Sequence, residues 1–245
     1  MKVVTAIDRP YLPGLIALHN SLKANSPNSE LICITYGDVA ADVRARGIRV
    51  IEAPALNVRL PTTWRHPHES APMYVRLIVP QLLGETAVWL DADQIVLKPL
   101  DELFNTDYGI KTCAAVPSTP MARHIGGLPE FAPNDRKWEQ IPGLYAGLLV
   151  FNHRQWVEQQ VTERCFRAMN EETGLDFFFV VQSVLGYVLC GEFYPLDFEW
   201  QRFGTRSPTE ITAETKVVHW HGHGRNPWTH EVNNRSLWQQ YAECT

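Results

Sequence analysis

Two aspartates, Asp91 and Asp93, close the apolar run "AVWL" with a single alanine between them. Carboxylates are costly inside a sheet, so the pair marks the point where a strand stops. At i and i+2 past a strand end, both side chains can converge on one ion. Hard divalent cations such as Mg2+ and Mn2+ take oxygen ligands of this kind and keep open positions for phosphate oxygens. The competing reading is an acidic surface turn. That reading sets two like charges side by side at the edge of a core, where they repel each other without a counter-ion.

A second group lies far downstream in "VVHWHGHGRNPW" (217–228). His219 ends a strand-like run, and an imidazole beside two carboxylates suits Mn2+. Gly222 and Gly224 let backbone come close to a phosphate, and Arg225 adds a fixed positive charge. The same stretch also reads as a turn held by Trp220 and Trp228, or as a separate metal site built from the alternating His219, His221 and His223. His66 and His68 in "TWRHPHES" read as solvated loop residues, with acceptor contact as the functional alternative and Trp64 as a surface for a sugar to stack on. Arg44, Arg46 and Arg49 read as a solvated face, and the phenylalanines at 177–179 as core. No Ser/His/Asp or Cys/His arrangement and no Gly-rich phosphate loop is present.

The elements that must position these groups alternate in type. Strands are expected at "KVVTAI", "ELICITYG", "IRVIEAP", "TAVWL", "KTCAAVPS", "GLLVFNH" and "TKVVHW". Helices are expected at "GLIALHNSLKAN", "VAADVRARG", "PMYVRLIVPQLL" and "NRSLWQQYAE", the third interrupted by Pro80. "RQWVEQQVTERCFRAMNEE" (154–172) reads as one amphipathic helix and "DFFFVVQSVLGYVLC" (176–190) as one buried helix. Segments 54–72 and 117–143 read as long loops. Strands alternating with helices imply an α/β fold with a mostly parallel sheet covered on both faces. Ligands in such sheets sit at the carboxyl ends of the strands, where Asp8, Asp91 and Asp93 fall.

The 245 residues carry no linker and no repeat, and they read as one domain, 1–245. A net charge of −5 with no basic block argues against nucleic acid as a partner. A nucleotide held through a metal is compatible with it. The opening "MKVVTAIDRPYLPG" is too short in its apolar run for a signal peptide, and no apolar window reaches membrane-spanning length. The five cysteines are scattered, without a CxxC pair, and read as the reduced thiols of a cytoplasmic protein.

Several blocks, in order along most of the chain, resemble the family 8 glycosyltransferases, the family of glycogenin and the bacterial lipopolysaccharide galactosyltransferases. "VVTAIDRPYLPGLIALHNSLK" resembles the family's opening strand and helix, and "YVRLIVPQLL" its helix with a basic residue facing the sugar. "WLDADQIVLKPLDELF" is close to the most specific family block. "GLYAGLLVFNHRQW" is similar to the Asn-Ala-Gly strand with Tyr145 in place of the asparagine. "HWHGHGRNPW" resembles the closing His-x-x-Gly-x-x-Lys-Pro-Trp, with one extra residue and Arg225 or Asn226 for the lysine.

The resemblance implies a GT-A, Rossmann-like fold and transfer of a sugar from a nucleotide donor, usually UDP-linked, with retention of configuration. It implies that Asp91, Asp93 and His219 hold Mn2+ or Mg2+, with Ala92 in the substrate site between the two acids. It further implies that Thr5, Ile7, Asp8 and Tyr11 line the base and ribose pocket. Gly222 and Arg225 would assist at the phosphates, Arg76 would reach the donor sugar or phosphates, and Ala146 and Gly147 would lie against the sugar. Arg76 and Gln182 take the catalytic positions. One departure stands out: Val181 occupies the place of an aspartate that binds donor-sugar hydroxyls in the family. Either Asp176 or Glu199 replaces that acid, or the donor is a deoxy sugar or one otherwise lacking that hydroxyl. The acceptor, whether glycan, lipid-linked or protein, is not specified. Two other functions are compatible with parts of the pattern: a catalytically degenerate nucleotide-sugar binder, and a haloacid-dehalogenase-like phosphatase, which also presents an aspartate after a strand.

Overall fold

The computed structural model describes residues 1–56, 71–170, 174–206, 210–221 and 226–242. The chain divides into two compact units. One comprises Met1–Ala53, Ala87–Asp107 and Asp197–Thr245; the other comprises Pro54–Thr86 and Tyr108–Leu196.

The first unit is built on four parallel strands ordered Ala87–Leu90, Lys2–Ile7, Glu30–Thr35 and Arg49–Glu52. The inner strands are buried on both faces, as parallel strands are, and therefore read as unbroken apolar runs rather than alternating ones. The helix Leu12–Asn25 connects Lys2–Ile7 to Glu30–Thr35. A smaller sheet sets Gln94–Val96 antiparallel to Val217–His219, which in turn runs parallel to Arg202–Phe203. The strand Gln94–Val96 is too short to announce itself in the sequence, yet it is the element that receives His219. Its place is fixed by two buried serines of the long helix and its C-cap: Ser21 Oγ accepts from Val96 N at 3.0 Å, and Ser26 Oγ from Leu100 N at 3.1 Å. The closing helix Arg235–Ala242 buries Trp238 against Ala17, Ile95, Val218 and Trp220.

In the second unit Leu148–Phe151 pairs antiparallel with Cys113–Ala115, and Tyr194–Pro195 pairs parallel with the same strand. The buried Thr162 hydroxyl gathers this unit's helical side. It accepts from Gln81 Nε2 at 2.6 Å and Trp156 Nε1 at 2.9 Å, and donates to Leu77 O at 2.5 Å.

Three sequence expectations change. The single helix at 154–172 is two, His153–Glu158 and Val161–Asn170, because Gln160 takes a positive φ of 52° and turns the chain. The buried helix at 176–190 begins later, at Val181. Asp176–Phe177 instead forms a strand pair with Ile125–Gly126. The loop at 117–143 contains the strand Pro117–Pro120, paired antiparallel with Pro142–Leu144. As expected, "PMYVRLIVPQLL" is interrupted: a 3-10 turn, Val75–Ile78, precedes a short helix, Val79–Leu83, that carries Pro80 in its first turn. The missing N–H costs least there.

Candidate active site

The strand Ala87–Leu90 delivers the chain to Asp91, and Gln94–Val96 begins straight after Asp93, so both acids sit on the link between the two sheets. The antiparallel register places His219 opposite Gln94, and Trp220 N donates to Asp93 O at 3.0 Å. This pairing brings groups distant in sequence together. His219 Nε2 lies 3.1 Å from Asp93 Oδ1 and 3.7 Å from Asp91 Oδ2. One ligand atom from each of the three falls within 4.8 Å of the other two. The side chains are 22, 13 and 7% exposed for Asp91, Asp93 and His219, so the cluster is sheltered while Asp91 keeps an edge toward solvent. Two carboxylate oxygens and an imidazole nitrogen at this separation fit a divalent cation such as Mn2+.

His221, weighed above as part of a separate histidine site, packs its ring edge-on against Phe203 at 4.3 Å and against His219 at 5.4 Å. Burial, with His219 next, lowers its pKa to about 4, so it is neutral at pH 7. Gly222, His223, Gly224 and Arg225 lie outside the described residues, as do His66, His68 and Trp64.

The residues expected to line the base and ribose pocket belong to the same unit. Thr5 and Ile7 are buried in the central strand, and Asp8 follows its end. Thr5 Oγ1 and Asp8 Oδ1 are buried without a hydrogen-bond partner among the described residues. Tyr11 stands edge-on to Trp228, with ring centroids 5.6 Å apart. Burial of its phenol, and then the charge of Asp93, push its pKa up to about 12, and the Asn226 side chain hydrogen-bonds to it. The phenol therefore keeps its proton at neutral pH. Ala92 is buried, and its carbonyl faces Gly14 on the long helix. A Cβ on Gly14 would come 2.6 Å from Ala92 O and 2.7 Å from the Trp228 ring.

The residues expected to meet the donor sugar belong to the second unit. Arg76 is buried at 6% exposure, donating from Nη1 to Ala146 O at 2.6 Å and from Nε to Met73 O at 2.9 Å. Gln182 Oε1 accepts from Ala146 N at 3.4 Å. The Ala146 backbone thus joins an arginine to a glutamine from two different elements. Tyr145 N donates to Val116 O at 2.9 Å. Gly147 is buried at the start of the strand Leu148–Phe151.

A family model for glycosyl transferase family 8 matches residues 2–231. The chain belongs to this family. Among characterised relatives, General stress protein A of Bacillus subtilis is 24% identical over 263 residues, covering 93% of this chain and 87% of that protein. Glycosyltransferase GlyA of Streptococcus pneumoniae is 26% identical over 179 residues, covering 69% of this chain and 23% of that protein. Among solved structures, the bifunctional glycosyltransferase WbbM superposes with a TM-score of 0.74 at 18% identity, over the whole of this chain and half of its own. The galactosyltransferase LgtC, solved with donor and acceptor sugar analogs, gives 0.69 at 19% identity, over 99% of this chain and 95% of its own. These likenesses show the fold, the GT-A type expected from the sequence.

In this family 8 glycosyltransferase, Val181, the residue expected at the place of a family aspartate, belongs to the second unit. Val181 is buried at 3% exposure and opens the helix Val181–Leu189. Glu199 and Asp176 are the two acids expected as substitutes. Glu199 forms an ion pair with Arg202 at 2.5 Å, and that hydrogen bond lowers its pKa. Asp176 is exposed on its strand.

Sequence reasoning passed over Trp89 and gave Asn226 and Trp228 no contact with Tyr11. Trp89 Nε1 donates to Asp91 Oδ1 at 2.8 Å. Asn226 and Trp228 hold Tyr11. A tryptophan in a buried strand reads as core. Only its i−2 spacing from Asp91, which puts both on one face, signals more.

Proposed function

We propose that the protein is a metal-dependent, retaining glycosyltransferase that moves a sugar from a UDP-linked donor to an acceptor in glycan synthesis, with Mn2+ or Mg2+ held by Asp91, Asp93 and His219. The observation that carries this reading is the approach of His219 Nε2 to the two carboxylates, at 3.1 and 3.7 Å. Two carboxylates set this close in a sheltered place repel each other, and a cation between them offsets that repulsion.

When bound, a cation there supplies Lewis-acid stabilisation of the charge that develops on the departing diphosphate. The chain's own residues do the rest. Thr5, Ile7, Asp8 and Tyr11 take the base and ribose. The buried and unpartnered Thr5 Oγ1 and Asp8 Oδ1 favour this role, since such atoms are costly unless a ligand satisfies them. Tyr11 offers an aromatic face and a protonated phenol. Arg76 and Gln182 act on the donor sugar, each fixed against the Ala146 peptide, and preorganised donors of this kind cost no rearrangement when charge develops. In the second unit Tyr145, Ala146 and Gly147 contribute to binding the sugar, and in the first Ala92 contributes between the two acids. Gly222 and Arg225 assist at the phosphates.

One observation favours a second reading: the buried valine at 181, where the family pattern has an acid, suits a protein that binds nucleotide sugar without efficient transfer. Release of UDP from a panel of UDP-sugars, with Mn2+ and with chelator, separates the two. Metal-dependent UDP release supports the transferase. Metal-dependent UDP affinity without product supports the binder.

No helix among the described residues is long and apolar enough to cross a membrane. Cys33, Cys113, Cys165 and Cys190 are free thiols, which supports assignment to the cytoplasm.

A further inference from the structure

Trp89 lies two residues before Asp91, on the strand Ala87–Leu90. Side chains at i and i+2 of an extended segment share a face. The spacing that lets Asp91 and Asp93 converge therefore also sets the Trp89 indole alongside Asp91. Nε1 donates to Asp91 Oδ1 at 2.8 Å, while Oδ2 is the oxygen that faces His219 Nε2 at 3.7 Å. The two oxygens of one carboxylate thus have separate tasks. The indole cannot swing aside easily: Trp89 is 1% exposed, and its backbone pairs with Val4 in the parallel sheet.

A carboxylate free to turn about its last bond presents two oxygens, one, or neither to an ion. With Oδ1 committed to a rigid, buried donor, Asp91 presents Oδ2 alone and in one direction. We propose that Trp89 is a positioning residue, whose indole N–H fixes Asp91 as a one-oxygen ligand for the divalent cation gathered by Asp91, Asp93 and His219. This inference rests on the metal-dependent reading above. Partners that hold a ligand from behind are worth about 10- to 100-fold in metal affinity. The plain alternative is that Trp89 only fills the core, its N–H taking the nearest acceptor as buried indoles do. Core filling affects stability and leaves metal affinity alone.

The test titrates Mn2+ alone into the full chain and follows free Mn2+ by electron paramagnetic resonance. Trp89→Phe keeps an aromatic ring and removes the donor. A second variant, with 3-benzothienylalanine at position 89, replaces the N–H by sulfur in the same shape and decides the matter if Trp89→Phe does not fold. Each is expected to bind Mn2+ about 10- to 100-fold more weakly than the wild type. In an Asp91→Asn background the same replacement is expected to change Mn2+ affinity little, because its effect runs through that carboxylate. Variants that bind Mn2+ as the wild type does, or lose equally in the Asp91→Asn background, overturn the role of Trp89 while the metal site stands. A wild type that binds no Mn2+ overturns both.

Discussion

Gly14 lies against the Ala92 carbonyl so closely that a methyl group on it would sit 2.6 Å from that oxygen. One helix of the first unit is thereby seated directly on the turn between Asp91 and Asp93. The Trp228 ring closes the same contact from another side, 2.7 Å from the missing Cβ. Here the glycine provides room rather than backbone freedom.

Gly14→Ala is accordingly expected to push the Ala92 turn out of place, since a backbone oxygen cannot rotate away as a side chain can. Overpacking of this kind costs about 1–3 kcal/mol. The more telling effect is on Mn2+ affinity, expected to fall about tenfold or more as both carboxylates are displaced. Calorimetric Mn2+ titration beside thermal melting measures both. A variant with reduced melting temperature and unchanged Mn2+ affinity would show that the contact is structural only.

Donor choice is expected to depend on Val181, which the resemblance sets at the place of a sugar-binding acid. A buried valine accepts no hydroxyl hydrogen bond, Glu199 is tied to Arg202, and Asp176 is exposed on its strand. UDP-linked deoxy sugars are expected to turn over faster than UDP-glucose or UDP-galactose. Measurement of kcat/KM across such a panel checks it, and a clear preference for UDP-glucose or UDP-galactose would refute it.

His124 makes one contribution to the pH dependence of stability. Its ring is 1% exposed, with Nε2 3.0 Å from Thr119 Oγ1 and Nδ1 buried without a partner among the described residues. Burial lowers its pKa from 6.5 to about 4. Below pH 6.5 the unfolded chain takes up a proton that the folded chain refuses until about pH 4, so stability is full above 6.5 and falls across that window. The loss amounts to up to about 3 kcal/mol. Urea unfolding at pH 7 and pH 5 is expected to show a smaller difference for His124→Gln than for the wild type, whatever that variant's stability at pH 7. Equal differences would mean that His124 does not titrate as described.

The cluster of Asp91, Asp93 and His219 was legible in the sequence because its signals are chemical: acids ending an apolar run, and a histidine ending another. The parallel sheet was legible because strands buried on both faces become unbroken apolar runs. Other features left no such mark. Gln160 turns the chain with a positive φ but is neither glycine nor proline, so two helices read as one. Asp176–Phe177 is short and borders an apolar helix, which absorbed it into that pattern. Trp89 looked like core and Trp228 like the prop of a turn, because bulk is all that sequence reports of a tryptophan. Their roles depend on which atom meets Asp91 or Tyr11, and only tertiary packing decides that.

The most direct measurement is calorimetric titration of UDP into the wild type and into Asp93→Asn, with Mn2+ and with chelator. If Asp91, Asp93 and His219 hold the ion that grips the diphosphate, wild-type affinity falls steeply when Mn2+ is removed, and Asp93→Asn is weak under both conditions while still folded. Equal UDP affinity with and without Mn2+ in the wild type would contradict it.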